Sequence, residues 1–304
     1  MRVRECLAAA AQPATRIDFD VPAGACDTHT HVFGDPRRFP LSQTRTYTPE
    51  PASVEEMRRL HRALHIDRVV VVQPSVYGTD NSCTLDAIKQ LGSRARGVAV
   101  IREDAPASAL DELHRGGIRG VRLNLETAGV VDPVEARRRV RAALERLRGR
   151  PWHLQLNTRL SIVDALHSDL AAASIPIVID HFGGARASLG AVQPGFGALV
   201  DLVRSGRAYV KISGAYRAST LAPDYMDAAP LANAFIAANP RRVVWGTDWP
   251  HPDSTPPPGR PATEVTPLLQ IDDGRLLNQL PSWAPDRVVR RLILVENPAR
   301  VYGF

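Results

Sequence analysis

Cys26-Asp27-Thr28-His29-Thr30-His31-Val32 decides how this chain is read. It has the form of a buried strand ending in polar residues. Side chains alternate between the two faces of a strand, so His29 and His31 project from one side. At a rise of about 3.3 Å per residue, their imidazoles reach one common point. Far downstream, Trp245-Gly246-Thr247-Asp248-Trp249-Pro250-His251 has the same character and delivers Asp248. A first strand carrying two histidines and a last strand carrying an aspartate predict a hydrolytic centre at the mouth of a barrel.

The intervening sequence alternates short apolar runs with helical patterns. Strands are predicted at Cys26 to Val32, Arg68 to Gln73, Gly97 to Ile101 and Gly120 to Asn124. Four more follow at His153 to Asn157, Pro176 to His181, Ala208 to Ser213 and Arg242 to Asp248. Helical periodicity marks Val54 to Leu64, Ser82 to Leu91, Ala107 to Arg115 and Val134 to Leu147. It returns at Ile162 to Ala172, Phe196 to Arg204 and Asp227 to Ala238. The fold class is therefore α/β, a single (β/α)8 TIM barrel over residues 25–304 with an N-terminal extension at 1–24. No G-x-G-x-x-G follows a strand, which disfavours an open dinucleotide-binding sheet. Long loops after strands one and eight, Gly34 to Ser53 and His251 to Pro267, leave from the end where barrel sites form and are candidate walls or lids. For the second, a proline-stiffened surface excursion is an equal alternative.

An apolar fraction of 44% over 304 residues suffices for a large core. No run of 18 apolar residues occurs, so no membrane span or membrane partner is expected. The Leu7 to Ala11 tract is too short and too weakly apolar for a signal peptide. Cys6, Cys26 and Cys83 have no metal-type spacing, and reduced thiols in a cytoplasmic protein are expected. By strand parity Cys26 faces away from His29 and His31. The net charge of +6 gathers in Arg137, Arg138, Arg139, Arg141, Arg146, Arg148 and Arg150, interleaved with Glu135 and Glu145. That pattern reads as a solvated helix face and not as a nucleic-acid surface. Only Lys89 and Lys211 are lysines.

By strand parity Asp27, His29 and His31 form one inward row, Ile177, Ile179 and His181 another, and Val244, Gly246 and Asp248 a third. Their polar ends are expected to converge. Asp248 would then serve as general base toward a water. The histidines would polarise a carbonyl directly, or hold a divalent ion, zinc by its ligand type, that does so. Arg122 lies within the apolar strand Gly120 to Asn124, where a guanidinium suits a carboxylate or sulfonate.

From about Ala25 to Phe304 the chain resembles the amidohydrolase superfamily. The H-x-H of strand one and Trp245 to Pro252 carry that resemblance. Gln73-Pro74-Ser75, Gly78-Thr79-Asp80-Asn81 and Ile179-Asp180-His181 narrow it to a branch of pyrone-dicarboxylate, sulfomuconolactone and sugar-lactone hydrolases. The resemblance implies a lactonase acting on a small anionic lactone, with His29, His31, His181 and Asp248 as the core set, also the ligands of any metal. It further implies that Tyr47, Ser75, Arg122 and Arg217 hold the substrate. Asn157 stands where the pyrone-dicarboxylate enzymes place a tyrosine, and Glu126 lies where they carry a second arginine. The resemblance implies a carboxylated lysine or nearby carboxylate at the end of strand four in binuclear members, and this strand ends Arg122-Leu123-Asn124, so a binuclear centre is not expected. The strand-five histidine of many mononuclear members is also missing, since His153 opens that strand. One zinc or no metal, with no organic cofactor, is expected, and a homo-oligomer is left open. A metal-dependent decarboxylase and a lactone isomerase are the alternatives on the same barrel.

Overall fold

The computed structural model describes residues 9–254 and 259–304. Cys6, the start of the Leu7 to Ala11 tract and residues 255–258 of the last long loop lie outside the described residues. Eight parallel strands form one sheet in chain order: β1 (Cys26–Thr30), β2 (Arg68–Val72), β3 (Ala95–Ala99), β4 (Ile118–Asn124), β5 (His153–Asn157), β6 (Ile177–Ile179), β7 (Ala208–Ser213) and β8 (Val243–Gly246). The predicted strands coincide with these within two residues at either end.

The first and last strands close the barrel. His31 N–H donates to Trp249 O at 2.8 Å and Asp248 N–H to His29 O at 2.9 Å. Asp27 adds to this seam, accepting from Thr247 N–H at 3.0 Å and from Thr247 Oγ1 at 2.6 Å. The strands approach so closely that a Cβ on Gly246 would stand 2.8 Å from His29 N. Only glycine fits there.

The strands divide two apolar layers. Inside the barrel, Cys26, Val70, Val72, Val98, Val178 and Val244 pack together with Tyr302 from the C-terminal helix. Outside, Val69, Val71, Ile177 and Ile179 meet the helices. Two expectations are thereby corrected. Cys26 belongs to the interior, because the register of β1 shifts between Asp27 and Thr30; Asp27 instead meets His61, outside the barrel, at 3.2 Å. In β6 the inward residues are Val178 and Asp180, while Ile177 and Ile179 face outward.

The covering helices are α1 (Val54–Ala63), α2 (Ser82–Leu91), α3 (Ala107–Arg115), α4 (Pro133–Leu147), α5 (Leu160–Ala165), α6 (His167–Ala171), α7 (Phe196–Arg204), α8 (Ala215–Ala218) and α9 (Ala229–Ala238). Ser53 and Glu56 form a capping box that starts α1, and Asp132 caps α4 ahead of Pro133. The single helix predicted over Ile162 to Ala172 is broken into α5 and α6 at Leu166. Arginines of α4 and the residues after it are paired outward: Arg138 and Arg139 with Glu135, Arg137 and Arg141 with Asp169, Arg150 with Asp111. Among the described residues no helix is long and apolar enough to cross a membrane.

The two long loops are joined to each other. Thr48–Pro49 and Val265–Thr266 pair as a small parallel ladder, and Thr48 Oγ1 donates to Ala262 O at 2.6 Å. The chain before β1 lies against the last loop, with Trp249 Nε1 donating to Ala11 O at 3.0 Å.

Candidate active site

The register shift in β1 leaves His29 and His31 pointing into the barrel mouth, with ring centroids 5.0 Å apart. His181 joins them by another route. It follows the inward Asp180, and a left-handed backbone (φ 48°) swings its ring back, 4.4 Å from that of His29. Asp248, just past β8, is also left-handed, at φ 69°. The result is a convergence on one atom. Asp248 Oδ1 lies 3.6 Å from His29 Nε2, 3.6 Å from His31 Nε2 and 3.8 Å from His181 Nε2.

Each histidine is held by its far nitrogen. His31 Nδ1 lies 2.8 Å from Val72 O, and a carbonyl only accepts, so Nδ1 carries a proton and Nε2 is turned toward the site. His181 Nδ1 bonds Ser213 Oγ at 3.0 Å. Burial, helped by Lys211, holds His29 well below the usual histidine range, and burial pushes His181 down to about 4. Both are therefore neutral at pH 7. Burial opposes ionisation of Asp248, but Arg217 and His181 outweigh it and hold its carboxyl well below the usual range. Its Oδ2 accepts from Tyr216 Oη at 2.6 Å and from Arg217 Nε.

Above this floor is a cavity of about 720 Å³. Of the nine residues singled out in the sequence, eight line it: His31, Tyr47, Ser75, Arg122, Asn157, His181, Arg217 and Asp248. His29, with no exposed surface, lies beneath them. Tyr47 is pushed up to about 12 by burial and is hydrogen-bonded by Ser75. Arg122 is buried, with Nε 3.1 Å from Asp180 Oδ2. Asn157 Nδ2 donates to Asn124 Oδ1 at 2.7 Å. His153 lies at the far end of the barrel, its ring edge-on to Tyr302 at 5.0 Å.

Sequence reasoning missed Asp180, Gln155 and Lys211 beneath the floor and Tyr216 beside Asp248. Charged or amide residues at alternate positions of otherwise apolar strands were the signal available for the first three. It also missed the rim, where Arg159 meets Glu126 by two bonds of 2.9 and 2.7 Å, and where Arg186 lines the same cavity.

His29 Nε2 and Asp248 Oδ1 are buried without a hydrogen-bond partner. With those two atoms unsatisfied, and with His29, His31 and Asp248 close enough to share an ion, the residues fit one divalent metal.

The sequence pattern of the family described as Amidohydrolase matches residues 26–304. The chain is 38% identical to a 4-sulfomuconolactone hydrolase of Hydrogenophaga intermedia, covering 94% of this chain and 90% of that one. It is 33% identical to a 2-pyrone-4,6-dicarboxylate hydrolase of Comamonas testosteroni, covering 93% and 92%. Among solved structures, a protein of Agrobacterium tumefaciens in its apo form superposes with a TM-score of 0.77 at 28% identity, over 96% of this chain and 98% of that one.

Proposed function

This chain belongs to the amidohydrolase family, and on that premise we propose that it hydrolyses a small anionic lactone. The observation that carries this reading is the convergence of three histidine Nε2 atoms on Asp248 Oδ1 at the floor of a cavity lined by Arg122 and Arg217. Relatives named as hydrolases of sulfomuconolactone and pyrone-dicarboxylate support the substrate class.

Arg122 binds the carboxylate or sulfonate, its fork oriented through Nε by Asp180. Tyr47 and Ser75 orient the ring carbonyl over the histidines. Tyr216 and Arg217 occupy Asp248 Oδ2, which turns Oδ1 toward a water placed for attack. In the resting site Arg217 makes Asp248 a weak base. A substrate anion that recruits Arg217 loosens that hold and raises the proton affinity of the carboxylate as attack begins. Asp248 takes the water proton and returns it to the alkoxide leaving group, which opens the ring. A divalent metal, when held by His29, His31, His181 and Asp248, supplies Lewis-acid polarisation of the carbonyl and a more acidic water.

Two buried, unpaired cysteines, Cys26 and Cys83, support a reducing compartment, and we place the enzyme in the cytoplasm. The decisive experiment is a pH-indicator assay of purified protein on pyrone-dicarboxylate, muconolactones, sulfomuconolactone and aldonolactones, with and without chelator. Acid release from an anionic lactone is expected, with chelator sensitivity reporting the metal. Silence across the panel overturns the reading, and NMR of the product separates ring opening from ring migration.

A further inference from the structure

Beneath the three histidines lies a buried polar layer to which the proposed chemistry gives one task, the hold of Asp180 on Arg122. Asp180 Oδ2 accepts from Arg122 Nε at 3.1 Å and from Gln155 Nε2 at 3.0 Å. Lys211 Nζ donates to Thr28 O at 2.8 Å and to Gln155 Oε1 at 2.9 Å. The Gln155 amide is thus fixed in both directions. His29 Nδ1 lies between the two charged groups, 3.2 Å from Lys211 Nζ and 3.3 Å from Asp180 Oδ1, while those two are 3.4 Å from each other.

A neutral imidazole has one proton to place. With the proton on Nδ1, His29 donates to Asp180 Oδ1, an atom otherwise buried without a hydrogen-bond partner. Lys211 then gives its third proton to the same carboxylate, and the Nε2 lone pair of His29 faces the cavity. With the proton on Nε2, Lys211 donates to Nδ1, and Asp180 Oδ1 keeps only the nearby ammonium charge and no hydrogen bond in a dry interior, which is unfavourable for a charged acceptor. The Nε2 proton gains little in return, since Asp248 Oδ1 at 3.6 Å is beyond hydrogen-bond reach.

We propose that Asp180 is a positioning residue that holds His29 as its Nδ1–H tautomer, with the Nε2 lone pair turned into the site, and grips Arg122 with its other oxygen. One buried carboxylate then references both the anion-binding arginine and the carbonyl-side histidine. The consequence for turnover rests on the lactone-hydrolysis reading; the tautomer does not.

The test is ¹⁵N NMR of histidine-labelled whole protein without substrate, with the His29 signals assigned by their loss in His29→Gln. The expected spectrum has a protonated Nδ1 and a bare Nε2; the reverse pattern overturns the proposal. Asp180→Asn should abolish the preference, weaken zinc binding about ten- to a hundred-fold in chelator competition and raise KM for a carboxylated lactone. Lys211→Met should keep the Nδ1–H form. A ring that flips in Lys211→Met but not in Asp180→Asn assigns the tautomer to the lysine and overturns the proposal. A protein with the expected tautomer that opens no lactone defeats only the functional reading.

Discussion

Asp248 divides its two oxygens between different neighbours, Oδ2 to Tyr216 and Arg217 and Oδ1 to the histidines. In the proposed function it is the general base, so Asp248→Asn should lower kcat about 10²- to 10⁴-fold on an anionic lactone while KM stays near its wild-type value. Unchanged kcat refutes the assignment. Arg122→Met should raise KM for carboxylated lactones most, and an equal loss on neutral aldonolactones would exclude an anion-binding role. At this scale the sequence was informative where chemistry is concentrated in short motifs. His29 and His31 sit two apart on one strand, and the branch resemblance pointed to Tyr47, Ser75 and Arg217. It was silent on Asp180 and Lys211, because an ion in the middle of an apolar strand declares its partners only when β5, β6 and β7 lie side by side.

Among the elements, β6 shows where pattern reading stops. Its run from Ile177 to Ile179 is apolar on both faces, since one meets the helices and the other the barrel interior. Alternation then says nothing about which residues point inward, and parity was assigned the wrong way round. His181 still reached the site, because its left-handed backbone undoes the parity of the strand before it. The eight strands themselves were legible, because each is a short apolar run bounded by turn residues. The ladder that ties Thr48–Pro49 to Val265–Thr266 was not, because two residues on either side carry no periodicity. At the seam, Gly246→Ala should wedge β1 from β8 and cost about 1–3 kcal/mol, lowering Tm and weakening zinc binding together. A Tm unchanged by that methyl group would show that the strands yield without strain.

At the scale of the whole molecule, burial holds His29, His153 and His181 below the usual histidine range, and this bears on its response to acid. Burial pushes His153 down to about 3. Unfolding restores its ordinary value near 6.5, so below that pH the unfolded chain takes up a proton that the folded one refuses. Stability is full above pH 6.5 and falls as pH drops toward 3, by about 2 kcal/mol for this one group between pH 6.5 and 5. His153→Phe keeps a ring against Tyr302 and removes the titration, so its urea midpoint should fall less than that of wild type between pH 7 and 5. Parallel falls would place the acid response elsewhere. Asp180 and Asp248, both held well below the carboxylate range, remain ionised through that window.

The seam also sets a schedule. A ribosome delivers His29 and His31 with the first strand of the barrel and Asp248 only after seven strands have been made. No nascent chain short of β8 holds the full set, however well its earlier repeats have folded. On the proposed function, catalytic competence arrives in one late step, when the newest barrel strand docks against the oldest, and a translation product truncated before that strand should be inert toward substrate.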